Sequence, residues 1–289
     1  MEESVTCRTV SLLGVRVTDT TRREAVALME AWIRAADGRA RAAFIVNAHT
    51  LNLACEDAAY RAVLNAADVV FADGTGVRLA ARLRGVQLVD NLVGTDLLPQ
   101  FFTTHLARGY RYFLLGGTPG TDARAAARVR QEFPGIRVVG HHHGFFAESA
   151  TPAVIEQINA AAPDMLLVAM GNPLQERWID AHRAALRVPV CIGVGGLINH
   201  WAGDLQRAPQ WVRELGMEWG QILLQQPHKW RRYLLGNPKF VYRAVVDARR
   251  SGVQHGLQRY RIDPLHLRAL DARPTVVGGE DDRWSRAAR

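Results

Sequence analysis

The chain has 289 residues, 48% of them apolar and 22% charged, which excludes a disordered chain and is enough to build a large core. No stretch approaches the roughly 18 consecutive apolar residues that would span a membrane. The net charge of +8 lies in one segment: residues 225–262 hold nine of the 36 bases (Lys229, Arg231, Arg232, Lys239, Arg243, Arg249, Arg250, Arg259, Arg261) and one of the 28 acids, Asp247, which leaves 27 of each elsewhere.

In chain order, the N-terminus starts with Glu2 and Glu3 and shows no apolar run of the signal-peptide kind. Short apolar runs predict buried strands over residues 43–47, 68–72, 111–115, 136–140, 165–170 and 189–194. Amphipathic stretches predict helices over 51–66, 76–83, 96–107, 120–133, 152–161 and 174–185. Strand and helix in strict alternation imply right-handed crossovers and an α/β fold, a mostly parallel sheet with helices on both faces. The order of strands cannot be read from such a pattern. After residue 194 the character changes, with Trp201, Trp211, Trp219 and Trp230 in helical segments punctuated by Pro209, Pro227 and Pro238. The expected division is a core over residues 1–200, a helical basic appendage over 201–250 and a flexible tail over 251–289. Cys7, Cys55 and Cys191 are odd in number and far apart, which suits a reducing compartment and gives no metal-spaced pair.

In an open parallel sheet, ligands bind beyond the carboxyl ends of the strands. The residues at these exits are Asn47-Ala48-His49, Asp73-Gly74-Thr75-Gly76, Gly116-Gly117-Thr118-Pro119-Gly120, His141-His142-His143-Gly144, Gly171-Asn172-Pro173 and Gly195-Gly196. Glycine lets backbone amides approach a ligand, and a following helix N-terminus attracts anions. The Gly116–Gly120 turn suits a diphosphate, although it is neither G-x-G-x-x-G nor a P-loop; a plain tight turn explains it equally well. Asp73 can serve as a general base, a ribose ligand or a metal ligand, or it can cap the next helix. His141, His142 and His143 lack a carboxylate or cysteine at ligand spacing, so no metal is expected; one ring, at His143, is a candidate for a phosphate or sugar hydroxyl. Glu176 early in a helix is explained by the helix dipole, which makes Gln175 the better ligand candidate. Arg207 offers a base near a helix start, with a surface salt bridge as the alternative.

In the appendage, Trp219, Ile222, Leu223, Trp230, Tyr233 and Leu234 share a helical face, and Lys229, Arg231 and Arg232 lie toward the other. Aromatic and basic residues together suit an anionic membrane surface; packing on the core with a solvated rim, or a nucleic-acid patch, are the alternatives. No nucleic-acid module is recognisable, so nucleic acid is not expected as a partner.

Taken in order, these segments resemble the WecG/TagA/CpsF family of bacterial glycosyltransferases, family 26 of the glycosyltransferase classification. The likeness covers about residues 10–245. It rests on Asn47-Ala48-His49-Thr50-Leu51, Asp73-Gly74-Thr75-Gly76, Gly94-Thr95-Asp96-Leu97, Leu115-Gly116-Gly117, His142-His143-Gly144-Phe145-Phe146, Gly171-Asn172-Pro173-Leu174-Gln175-Glu176, Val194-Gly195-Gly196, Arg207-Ala208-Pro209 and Glu218-Trp219. The resemblance implies a Rossmann-like core with a C-terminal appendage that approaches the membrane and helps complete the active site. The implied reaction is inverting transfer of a sugar from a UDP-sugar to a polyprenyl-diphosphate-linked saccharide, in surface or exopolysaccharide biosynthesis. It further implies a cytoplasmic enzyme peripheral on the inner face of the cell membrane, without a cofactor, and compatible with a homo-oligomer. Carried over by position, Asp73 would deprotonate the acceptor hydroxyl. Asn47 and Gln175 would hold the donor sugar and phosphates, with His49, Thr95, Gly116, Gly117, His143, Gly171, Gly195 and Arg207 around them. Lys229, Trp230, Arg231 and Arg232 would meet the membrane or acceptor.

This chain departs from the family pattern at Asn91 and Gln221, where arginines are usual, at Asn199, where aspartate is usual, and at Gln226-Pro227 in place of Glu-Pro. Arg207, Arg231 and Arg232 are the candidates to take over the missing positive charge. These departures motivate a second reading, a non-catalytic nucleotide-sugar-binding or membrane-surface scaffold. A nucleotide-dependent oxidoreductase is a further alternative, without the fingerprint such enzymes carry.

Overall fold

Each of the six expected strands forms, and five of them are buried nearly throughout because helices cover both faces of the sheet. The computed structural model describes residues 6–209, 212, 218–250 and 258–261. In chain order the elements are β1 (Thr6–Leu12), β2 (Val15–Asp19), α1 (Arg22–Ala35), β3 (Arg41–Val46), α2 (Ala48–Glu56), α3 (Ala58–Ala66), β4 (Val69–Ala72), α4 (Gly74–Leu83) and α5 (Gly94–His105). They continue with β5 (Arg111–Gly116), α6 (Thr121–Glu132), β6 (Arg137–His142), α7 (Thr151–Ala161), β7 (Met165–Ala169), α8 (Leu174–His182), β8 (Val190–Gly193) and α9 (Leu197–Trp201). The C-terminal part holds α10 (Glu218–Gln225), a π-helical turn over Arg231–Leu235, α11 (Gly236–Arg250) and β9 (Gln258–Arg261).

The strands form one sheet in the order β6-β5-β7-β8-β3-β4-β2-β1-β9. From β6 across to β2 every pairing is parallel, and β1 pairs antiparallel with both β2 and β9. Alternate residues of each strand feed two separate cores. Ala43, Ile45, Phe71, Leu114, Leu167 and Ile192 pack under α1, α5, α6 and α9. Phe44, Val46, Val70, Leu115, Leu166 and Cys191 pack under the helices of the opposite face.

The periodicity did not reveal the first three elements. β1 and β2 form a hairpin around Leu13 and Gly14, both at positive φ. That is the two-residue turn such hairpins favour, but Leu13 hides the usual Asn-Gly signature. α1 begins with a capping box, in which Thr21 and Glu24 satisfy each other's backbone amides, and it buries Ala25, Leu28, Met29 and Trp32. The helix expected over 51–66 is two helices, because Asp57 ends α2 and accepts the Tyr60 amide at 2.8 Å to start α3.

In the appendage, Phe240 and Ala244 of α11 are buried in the second core, and α11 packs on α2 and α4. Arg243 donates to the Asn52 carbonyl at 3.0 Å and pairs with Glu56 at 2.9 Å. Within the stretch expected to be a flexible tail, residues 258–261 form an edge strand paired antiparallel with β1; the rest of 251–289 lies outside the described residues. Among the described residues, no helix is long and apolar enough to cross a membrane.

Candidate active site

A cleft of about 940 Å³ opens across the carboxyl ends of the parallel strands, where an α/β sheet offers helix N-termini and unpaired amides. Every strand exit from β3 to β8 contributes to its wall: Asn47 and His49, Asp73, Gly117, Gly144 and Phe145, Gly171 and Asn172, and Gly195 and Gly196. Val93, Gly94 and Thr95 enter from the start of α5, and Asn199, His200 and Asp204 from α9 and the turn after it. The far side is closed by Ile222, Gln226, Lys229, Arg232 and Tyr233 of the appendage.

Asp73 stands at the end of β4 on this wall and makes no capping bond to α4, so the structural alternative considered for it is not realised. Asn47 lines the cleft, but its Oδ1 is committed to capping α2, accepting the His49 and Thr50 amides at 3.1 and 3.2 Å. Burial, then the Arg232 and Lys229 charges, push the His49 imidazole down to about 4, so the ring is neutral near pH 7. Lys229 is held below the usual ammonium range, first by burial and then by Arg232. Lys229 and Arg232, expected to meet the membrane or the acceptor, line the cleft because the appendage folds back over it. Trp230 and Arg231 do not line it. Trp230 is 45% exposed, and the Arg231 guanidinium lies 5.3 Å from its ring.

Gln175 lines the cleft yet is only 1% exposed. Its Oε1 accepts the Gly195 amide at 3.0 Å, and its Nε2 donates to Glu176 at 2.7 Å. Glu176 is wholly buried and also accepts from Asn172 Nδ2 at 2.6 Å and from the Tyr60 hydroxyl at 3.0 Å. Burial holds its carboxyl above the usual range even though these donors favour ionisation. Glu176 is therefore more than a dipole-matched helix start. It fastens the exits of β7 and β8 to α3.

Gly116 does not line the cleft. Its φ of +148°, and a Cβ that would sit 2.3 Å from the Ala169 carbonyl oxygen, make it a packing glycine between β5 and β7. Gly117, beside it, does reach the cleft. Arg207 lies outside the lining, because its guanidinium pairs with Asp96 at 2.6 Å. That ion pair fastens the segment after α9 to the start of α5. His143 lies just behind Gly144, with its Nδ1 buried and unpartnered. His141 is tied to Asp122 at 2.7 Å, and His142 to the His143 carbonyl at 2.7 Å. Among the described residues, no three His, Cys, Asp or Glu side chains are grouped as metal ligands. Thr95 lines the cleft wall, and its Oγ1 is buried without a hydrogen-bond partner among the described residues.

Residues 10–254 match the model of the glycosyl transferase WecG/TagA/CpsF family. The chain belongs to this family. It is a glycosyltransferase, and the family's range takes in both the sheet and the appendage that closes the cleft. Similar proteins include one from Bacillus spizizenii, 32% identical over 214 residues, covering 74% of this chain and 82% of that protein. Another, from Staphylococcus aureus strain MRSA252, is 30% identical over 254 residues, covering 87% of this chain and 90% of its own. A third, from Bacillus subtilis strain 168, is 31% identical over 202 residues, covering 70% and 78%. All three carry the name N-acetylglucosaminyldiphosphoundecaprenol N-acetyl-beta-D-mannosaminyltransferase.

Met170 and His200 had no local signal; they reach the cleft because the strand ends converge there.

Proposed function

We propose that this glycosyltransferase moves a sugar from a UDP-sugar to a saccharide carried on polyprenyl diphosphate, with inversion at the anomeric carbon, in surface or exopolysaccharide assembly. The relatives' names, which describe a mannosaminyl transfer to an N-acetylglucosaminyl diphosphoundecaprenol, support this class of acceptor. The observation that carries the reading is the presence of the Asp73 carboxylate and two cations in a single cleft. Asp73 sits at a strand exit, and Lys229 and Arg232 line the same cavity from the appendage.

In this reading the Asp73 carboxylate takes the proton of the acceptor hydroxyl as that oxygen attacks the anomeric carbon. The bond from that carbon to the diphosphate oxygen breaks on the opposite face, and UDP departs with the electron pair. The charge on the departing diphosphate is met by Lys229, Arg232 and the amides of the glycine turns. The scaffold alternative lacks such support, because a binding protein has no need for a carboxylate kept off its helix cap. The test supplies the full-length protein with UDP-sugars and a lipid-diphosphate-linked sugar and follows UDP release and product. Asp73→Asn is expected to lower kcat by about 10²–10⁴, the usual share of a general base, with little change in donor KM. Wild-type turnover by Asp73→Asn would rule out the assigned base.

A further inference from the structure

The backbone around Asp73 is turned away from an ordinary helix start, and we propose that Asn91 is the positioning residue that holds it so. This rests on Asp73 being the base. An aspartate at the N-cap normally folds its carboxylate onto the amides two and three residues ahead, and Asp73 makes no such bond. Gly74 supplies the reason: its φ is +89°, in the left-handed region, so the peptide joining it to Asp73 does not run in line with α4. The amide of that peptide donates to Asn91 Oδ1 at 2.7 Å.

The loop that carries Asn91 is held at several points. The Val89 amide donates to Asp19 Oδ1 at 2.8 Å, and the Leu92 amide to the Ala72 carbonyl at 2.8 Å. Asp90 accepts the Arg22 amide at 3.0 Å through one oxygen and the Asn91 amide at 2.8 Å through the other. The acceptor for Gly74 is thus fixed to the end of β2, the start of α1 and the end of β4. Arginine, usual in the family at this position, has no acceptor and could not make the bond. Asn91 lies outside the cleft lining and acts on the reaction through the peptide next to Asp73.

The test measures Asn91→Ala and Asn91→Asp beside Asp73→Asn in the same transfer assay, on protein shown to be folded by circular dichroism. Asn91→Ala is expected to lower kcat about tenfold or more while donor KM moves less than about threefold. Its acidic limb of kcat/KM against pH should move to lower pH, since the released carboxylate can accept the α4 amides, which favour its ionised form. Asn91→Asp keeps the acceptor and adds a negative charge beside Asp73. It should recover most of kcat at high pH and move the acidic limb upward. Loss of stability alone would not shift the two limbs in opposite directions. Wild-type kcat in Asn91→Ala, or acidic limbs unchanged in both variants while Asp73→Asn is inactive, would overturn the proposal and leave the base in place. Full turnover by Asp73→Asn would remove the base assignment and the proposal with it.

Discussion

Side chains chosen from sequence as ligands divide according to what else claims their polar atoms. Asp73, His49 and Thr95 line the cleft. Gln175 and Arg207 had equally suggestive positions, but the fold commits both, one to Gly195 and Glu176 and the other to Asp96. Local sequence could not separate these cases, because each partner lies on a different element. Glu176 shows the same effect from the other side: a residue explained by helix polarity proves to be the centre of a buried network. Glu176→Ala would leave the donors of Tyr60, Asn172 and Gln175 unpaired, at about 1–3 kcal/mol each. A loss of about 3 kcal/mol or more is expected in urea unfolding. Glu176→Gln keeps the oxygen shared by Asn172 and Gln175 and lets Tyr60 accept in place of donating. It should cost less than about 1 kcal/mol; an equal loss in both variants would show that the negative charge itself matters.

Among the elements, the parallel strands were legible because apolar runs buried on both faces need no partner to be recognised. The hairpin was not, since Leu13 occupies a turn position where Asn or Gly would have announced it. The capping box of Thr21 and Glu24 was a readable signal for α1, followed as it is by apolar residues at helical spacing. The amphipathic reading of the appendage, with packing on the core as one alternative, concerns residues 219–234. Beyond them α11 packs on the core, where Phe240 is 1% exposed and joins the core formed with α2 and α4. Phe240→Ala is expected to cost about 3–5 kcal/mol and to loosen α11 from the body. Limited proteolysis should then cut within residues 218–250 while the core persists, and transfer activity should fall with it. Unchanged protease resistance and activity would show that the appendage is held by other contacts.

For the whole molecule, the described bases of the +8 segment go to different places. Lys229 and Arg232 line the cleft, and Lys239 and Arg243 pair with Glu56. Arg231 remains outward beside Trp230, and Leu235 and Tyr242 are 60% and 70% exposed. An apolar and basic outer face next to a cleft proposed to take a lipid-borne acceptor fits a membrane surface. The protein is expected to bind anionic vesicles more tightly than neutral ones, with the difference shrinking as salt is raised. Equal binding to both would remove the electrostatic part of this reading.

Amino-acid order alone decides the alternation of strands and helices, the parallel sheet and the family, because these depend on local periodicity and on motifs contiguous in the chain. It also localises the charge to one segment. Only the tertiary structure decides which of those charges line the cleft, since that requires residues 222–233 to return across strand ends as far away in the chain as Asn47 and Asp73. The same holds for the proposed base. Asp73 is visible as a carboxylate after an apolar run, but its place off the helix cap is set by Gly74 and by an acceptor seventeen residues on, at Asn91. Long-range hydrogen bonds have no sequence period, so no reading of pattern could have supplied them.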